Sequence, residues 1–223
     1  MELFDAWPEK YEEWFATPVG KYVQKYEAEI LVKFVDPVPG EIQLDIGCGS
    51  GIFSEYLVSY GSKVIGVDVS LPMLIRARER LFTFKFIPAA SDMNLLPFTE
   101  NVFDKVVSMT AIEFVEDAKQ AVNEMFRVAK PGANIVLTTL NKHSPWAQRR
   151  KEKARKGHDL FGHTIFRSPQ EILDLVPFDG EVTTAIHFEK NSPIENIPCI
   201  ERRGQKEGWM TGAFVAARWS KPA

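Results

Sequence analysis

The chain has 223 residues, 45% hydrophobic and 26% charged, with a formal net charge of −3. That length supports one sizeable core and is short for two full domains, so one domain over 1–223 is expected, and the charge balance gives no general attraction to nucleic acid or anionic membranes. No apolar run approaches the roughly 20 residues of a membrane span, Met1-Glu2-Leu3-Phe4-Asp5 lacks a basic leader, and Cys48 and Cys199 supply neither a disulfide framework nor a paired metal-ligand spacing; a cytoplasmic protein without a metal is expected.

In chain order, Pro8–Val35 sets Tyr11, Trp14, Phe15, Tyr22, Tyr26 and Ile30 among Glu and Lys, which predicts one or two amphipathic helices. They form a helical cap over 1–38, at the sheet edge or over a cofactor mouth. Beyond it, short apolar runs alternate with helical patterns, predicting βαβ units and a mostly parallel sheet. Strands are predicted at Ile42–Ile46, Lys63–Val67, Phe84–Pro88, Lys105–Met109 and Ala133–Leu140. Helices are predicted at Gly51–Tyr60, Leu71–Arg80 and Asp117–Ala129; Ser70 and Pro72 open the second, and Lys130-Pro131-Gly132 stops the third. Residues 141–167 have little apolar periodicity and read as a lid or substrate segment. Glu181–Phe188 and Trp209–Trp219 read as a terminal antiparallel pair, joined by a polar connection over about 189–207.

Two segments carry the chemistry. In Leu44-Asp45-Ile46-Gly47-Cys48-Gly49-Ser50-Gly51 an apolar strand enters a glycine-rich turn, and Val64-Ile65-Gly66-Val67-Asp68 is a second strand that ends on an acid. Glycine serves where backbone takes positive φ or approaches a ligand without a Cβ in the way. The G-x-G-x-G spacing departs from the G-x-G-x-x-G dinucleotide pattern, which counts against NAD. Asp68 sits where a carboxylate accepts both hydroxyl hydrogens of a ribose, and Cys48 reads as a small packing residue of the turn rather than a reactive thiol.

With Asp92-Met93-Asn94-Leu95-Leu96-Pro97-Phe98, Phe103-Asp104-Lys105-Val106-Val107 and Arg127-Val128-Ala129-Lys130-Pro131-Gly132 in register behind them, these segments resemble the class I S-adenosylmethionine-dependent methyltransferases, in particular the ubiquinone/menaquinone-biosynthesis-type group. The resemblance covers roughly residues 40–140. It implies an α/β Rossmann-like fold, a seven-stranded mixed sheet of order 3-2-1-4-5-7-6 with strand 7 antiparallel and helices on both faces. It also implies that S-adenosylmethionine is the cofactor, with S-adenosylhomocysteine as product. Carried over, it places Asp45 and the Gly47 backbone at the methionine ammonium, Asp68 on the ribose, and Asp92 with Met93 at the adenine. Cys48, Gly49, Val69, Met73, Ser91 and Thr110 then line the cofactor, and Tyr11 closes over its methionine end.

Methyl transfer from a sulfonium needs alignment, desolvation and, for some acceptors, a base. The base candidates are Glu113, just after the fourth strand, and His143, His158 and His163 in the lid segment, with His143 first because it follows the fifth strand directly. Nucleic-acid amino methyltransferases usually carry Asn/Asp-Pro-Pro-aromatic after the fourth strand; here Ser108-Met109-Thr110-Ala111-Ile112-Glu113-Phe114 stands instead. A small-molecule acceptor is therefore expected, aromatic or apolar if flanked by Trp146, Phe161 and Phe166, anionic if it meets the basic run Arg149–Lys156. Two alternatives stay open: an RNA or protein methyltransferase using that basic run, and a non-catalytic protein that binds the cofactor.

Overall fold

The computed structural model describes residues 4–157 and 159–222. Its sheet comprises β1 (Ile42–Ile46), β2 (Lys63–Asp68), β3 (Phe86–Ala90), β4 (Phe103–Ser108), β5 (Ala129–Leu140), β6 (Glu181–Ala185) and β7 (Phe214–Ser220), in the spatial order β3-β2-β1-β4-β5-β7-β6. β7 pairs antiparallel with β5 and β6, and the remaining pairs are parallel. The helices are α1 (Pro8–Ala16), α2 (Pro18–Val35), α3 (Ser54–Ser59), α4 (Leu71–Arg80), α5 (Ala118–Val128), α6 (Pro145–Arg155), α7 (Asp159–Gly162), α8 (Pro169–Leu173) and α9 (Ile197–Glu207). None of the helices is long and apolar enough to cross a membrane, among the described residues.

The near-continuous apolar strands are explained by burial on both faces. Val107 and Val136 pack with Leu31 and Phe34 of α2 and Leu57 of α3, whereas their neighbours Val106, Ile135 and Leu137 point the other way onto Val122 and Met125 of α5. The cap is two helices because Pro18 interrupts the pattern: Thr17 turns extended, and its Oγ1 accepts from the Gly20 amide at 3.0 Å.

Several boundaries depart from expectation. β3 lies two residues later than predicted and contains Pro88; a missing N–H is tolerated on this edge strand, whose outer side has no ladder partner. β4 starts at Phe103 and stops at Ser108. β5 begins directly at Ala129, because Lys130-Pro131-Gly132 ends α5 as expected and then forms an irregularity within the strand, the pairing stepping from Phe103↔Ala129 to Lys105↔Asn134. The connection after β6 is partly helical: α9 turns Ile197, Glu201 and Gly204 inward, and the Glu201 carboxylate accepts from the Ile186 and His187 amides at 3.1 and 2.8 Å.

Ionic contacts tie α1 to α4. Glu12 receives Arg76 Nη2 at 2.8 Å and Arg80 Nη2 at 2.6 Å, Ser70 Oγ donates to Asp5 at 2.9 Å, and Arg80 Nε donates to the Ser50 carbonyl of the glycine turn at 3.1 Å. Against partial desolvation, the two guanidinium groups keep Glu12 below the ordinary carboxylate range.

Candidate active site

The glycine turn is built by steric necessity. Gly47 has φ +70°, and a Cβ on it would stand 2.4 Å from the Ala111 Cβ; Gly49 has φ +53° and donates its N–H to Asp68 Oδ2 at 2.9 Å. The Ser70 amide takes the other Asp68 oxygen at 2.9 Å, so the acid at the end of β2 is fixed by two backbone donors and keeps free lone pairs. Asp45, next to last in β1, is 1% exposed: Ser54 Oγ donates to its Oδ2 at 2.6 Å, whereas Oδ1 is buried without a partner. Burial, with Asp68 nearby, pushes the Asp45 carboxyl up to about 6. A buried acid with an orphaned oxygen is matched by a cationic ligand group.

Above this turn lies a cavity of about 780 Å³, within the size range of small-molecule sites. Its floor is the C-terminal end of β1, β2 and β4, its roof is α1, and one side is α2 with α6. The residues expected at the cofactor are brought together on its wall: Tyr11, Asp45, Gly47, Cys48, Gly49 and Thr110 near the turn, with Asp68, Val69, Met73, Ser91, Asp92 and Met93 toward β2 and β3. Burial, and the neighbouring Asp45 and Asp68, hold the Cys48 thiol far above its usual range, which leaves it unreactive. Thr110 sits at φ +47°, an uncommon conformation for a non-glycine residue, and its N–H is taken by Thr138 Oγ1 at 2.9 Å. The half-buried Tyr11 is kept as the neutral phenol by desolvation and by Glu27, Glu113 and Asp45 around it.

The base candidates separate. Glu113 lines the cavity, 1% exposed, in a short 3-10 turn over 112–114. Thr139 Oγ1 donates to its carboxylate at 3.2 Å, and Arg167 fixes the turn by donating to the Ile112 and Val115 carbonyls at 2.8 and 3.1 Å. His143 is exposed and is not part of the cavity wall, which corrects its placement as first candidate. The cause is Asn141, whose side chain binds the Met210 and Gly212 carbonyls and the His143 amide, so that the chain bends into α6 with His143 on the outside. His163 is likewise exposed, and His158 lies outside the described residues.

The sequence reading gave no individual role to three lining groups. Glu27 of α2, 5% exposed, has its carboxyl pushed up by burial to about 8, and the same cause raises Glu113 to about 7. Arg150 of the basic run turns into the cavity between the Trp146 and Phe161 rings, 5.5 and 5.8 Å from their centroids. Trp14 meets Trp146 edge-on at 6.1 Å and carries Lys190 over its ring. Phe166 is not on the wall; Lys151 covers it at 5.5 Å.

These buried acids tie stability to pH. Their folded-state affinities for a proton exceed the unfolded ones, so the stability they contribute is complete below the ordinary carboxylate range near 4 and is lost as pH rises through about 6, 7 and 8 for Asp45, Glu113 and Glu27. The melting temperature of the ligand-free protein is expected to fall between about pH 5 and 8.5, and Glu27→Gln to flatten the upper part of that fall in a calorimetric pH series. An unchanged slope in Glu27→Gln would remove this acid from the account.

Residues 44–137 match the model of a methyltransferase domain family. They are a class I S-adenosylmethionine-dependent methyltransferase domain. S-adenosylmethionine suits the wall described above: a cation for the orphaned Asp45 oxygen and a ribose for Asp68. A malonyl-[acyl-carrier protein] O-methyltransferase of Salmonella typhimurium is 35% identical over 152 residues, which cover 68% of this chain and 59% of that relative. The chain thus spans under two thirds of that relative's length. An uncharacterised protein of Methanocaldococcus jannaschii is 29% identical over 219 residues, 97% of each chain. Among solved structures, an S-adenosylmethionine-dependent methyltransferase from Thermotoga maritima superimposes with a TM-score of 0.78 over 98% of both chains at 22% identity, a likeness of fold. The strand order and the antiparallel seventh strand of this methyltransferase domain and its C-terminal extension agree with the expected architecture.

Proposed function

We propose that the protein moves the methyl group of S-adenosylmethionine to an oxygen or nitrogen of a small-molecule acceptor bound between Glu113 and α6. The observation that carries this reading is the buried Glu113 carboxyl on the wall of the cofactor cavity, raised to about 7 and so able to change protonation state near neutral pH. Bound there, S-adenosylmethionine would supply an activated methyl on a sulfonium, with the neutral thioether of S-adenosylhomocysteine as the leaving group. Asp45 and the Gly47 backbone hold the methionine ammonium, Asp68 the ribose hydroxyls, and Asp92 with Met93 the adenine edge. Glu113 accepts the acceptor's proton. Tyr11, from the roof, closes over the methionine end and keeps water from the reacting groups.

The second reading, an RNA or protein methyltransferase with a basic lid, is disfavoured by how the basic run is used: Arg149 pairs with Glu189 at 2.6 Å, Arg150 points into the cavity, and Lys151 lies over Phe166. The test is incubation of the protein with methyl-labelled S-adenosylmethionine and two fractions of one cell extract, small metabolites and total RNA. Label in a small metabolite is expected. Label confined to RNA would overturn the choice of acceptor, and no label with either fraction, from protein shown to bind S-adenosylhomocysteine, would favour a non-catalytic role.

A further inference from the structure

The acceptor half of the cavity holds an unsatisfied cation. Arg150 Nη1 is buried and has no hydrogen-bond partner, although Glu27 and Glu113 are close enough to influence the guanidinium electrostatically. A buried donor with a full charge and no acceptor costs several times what a paired one does, so the group is poised for a ligand rather than for packing. Its two flanking rings fix the guanidinium in place without using its N–H donors.

The carboxylates do not neutralise it. Neither carboxylate is hydrogen-bonded to Nη1, and burial favours the neutral form of both, so the charge of the guanidinium is not fully matched on this part of the wall. The mouth adds to it: Lys153 and Lys190 line the cavity beside Arg149, which is paired with Glu189, and beyond desolvation the Lys190 ammonium is disfavoured by Lys153, Arg150 and Arg149 around it. A cluster of cations that depress one another's charging is completed by an anion. Arg presents a planar fork that a carboxylate or a phosphate monoester meets with two parallel hydrogen bonds.

We infer that the methyl acceptor is an organic acid, and that Arg150 receives its carboxylate or phosphate group in the pocket bounded by Trp146 and Phe161 while the nucleophilic atom is turned toward Glu113. This rests on the proposed methyl transfer. The acid is an anchor and takes no part in bond making: Arg150 orients the molecule, and the apolar body lies against the rings of Trp14 and Trp146.

Titration calorimetry on the full chain saturated with S-adenosylhomocysteine tests the inference with matched probes: phenylacetate against phenylacetamide, and phenyl phosphate against benzyl alcohol. At least one acid is expected to bind ten-fold or more tightly than its neutral counterpart in wild type. That preference disappears in Arg150→Met and is partly kept in Arg150→Lys, with the affinity for S-adenosylhomocysteine unchanged in both. The carboxylate and phosphate arms show which anion the site takes. No acid preference in wild type, or a preference that survives Arg150→Met, overturns the inference. If S-adenosylhomocysteine itself does not bind, the methyltransferase reading fails instead, so the two failures are told apart by the first titration.

Discussion

Replacing Glu113 with Gln is expected to lower kcat by roughly 10²–10⁴-fold, the usual contribution of a positioned proton acceptor, while S-adenosylhomocysteine affinity stays within about three-fold. Gln keeps the shape of the side chain and can still accept from Thr139, and the turn stays fixed by Arg167, so the loss reports the missing base. A second signature separates this role from mere packing. In the wild type the carboxyl must be ionised to accept a proton, so the rate falls as pH drops through about 7, the value to which burial raises it. In Glu113→Gln that acid limb vanishes and the residual rate is flat across it. Single-turnover kinetics from about pH 5.5 to 8.5 check both. A variant that keeps the limb, or loses activity only in proportion to its folded fraction, would show that another group takes the proton.

For Asp68→Ala the expected result is a rise of two to four orders of magnitude in the dissociation constant for S-adenosylhomocysteine, seen by calorimetry. Two effects add. The ribose loses a charged acceptor, each such hydrogen bond being worth about 1.5–3 kcal/mol. The Gly49 and Ser70 amides lose their shared partner, so the turn itself is less well held. Asp68→Asn retains one acceptor oxygen and therefore falls between wild type and Ala. Affinity unchanged in Asp68→Ala would place the cofactor elsewhere in the cavity.

How much of this was readable beforehand depended on whether a residue type is tied to one local geometry. Gly47 and Gly49 were legible because few other residues adopt their backbone angles, and Asp68 because it closes β2 opposite that turn, bonded to the Gly49 amide. The sheet order was implied by the family resemblance that five motifs in register carry. Pro88 obscured β3, since its compatibility with a strand depends on lying at the edge, a tertiary fact. α9 was hidden because its inward positions include Glu201 and Gly204, which read as solvent and loop until their partners around 185–187 are known. Glu27 and Arg150 looked like their charged neighbours in α2 and α6; only the depth at which the helix turns them inward distinguishes them. His143 misled for the opposite reason: adjacency to β5 in sequence suggested the cavity, and the Asn141 side chain redirects it to solvent.

The clasp of Glu12 by Arg76 and Arg80 has a kinetic meaning. In the proposed reaction spent product lies beneath α1, which is bound to α4 by two short charged contacts, and the segment before α1 is tied to the N-cap of α4 through Asp5 and Ser70. Exchange of product for fresh methyl donor past α1 is then expected to need these contacts open, which would put a ceiling on turnover. Because mobile ions compete most with the more exposed Arg76, that ceiling is expected to rise with ionic strength.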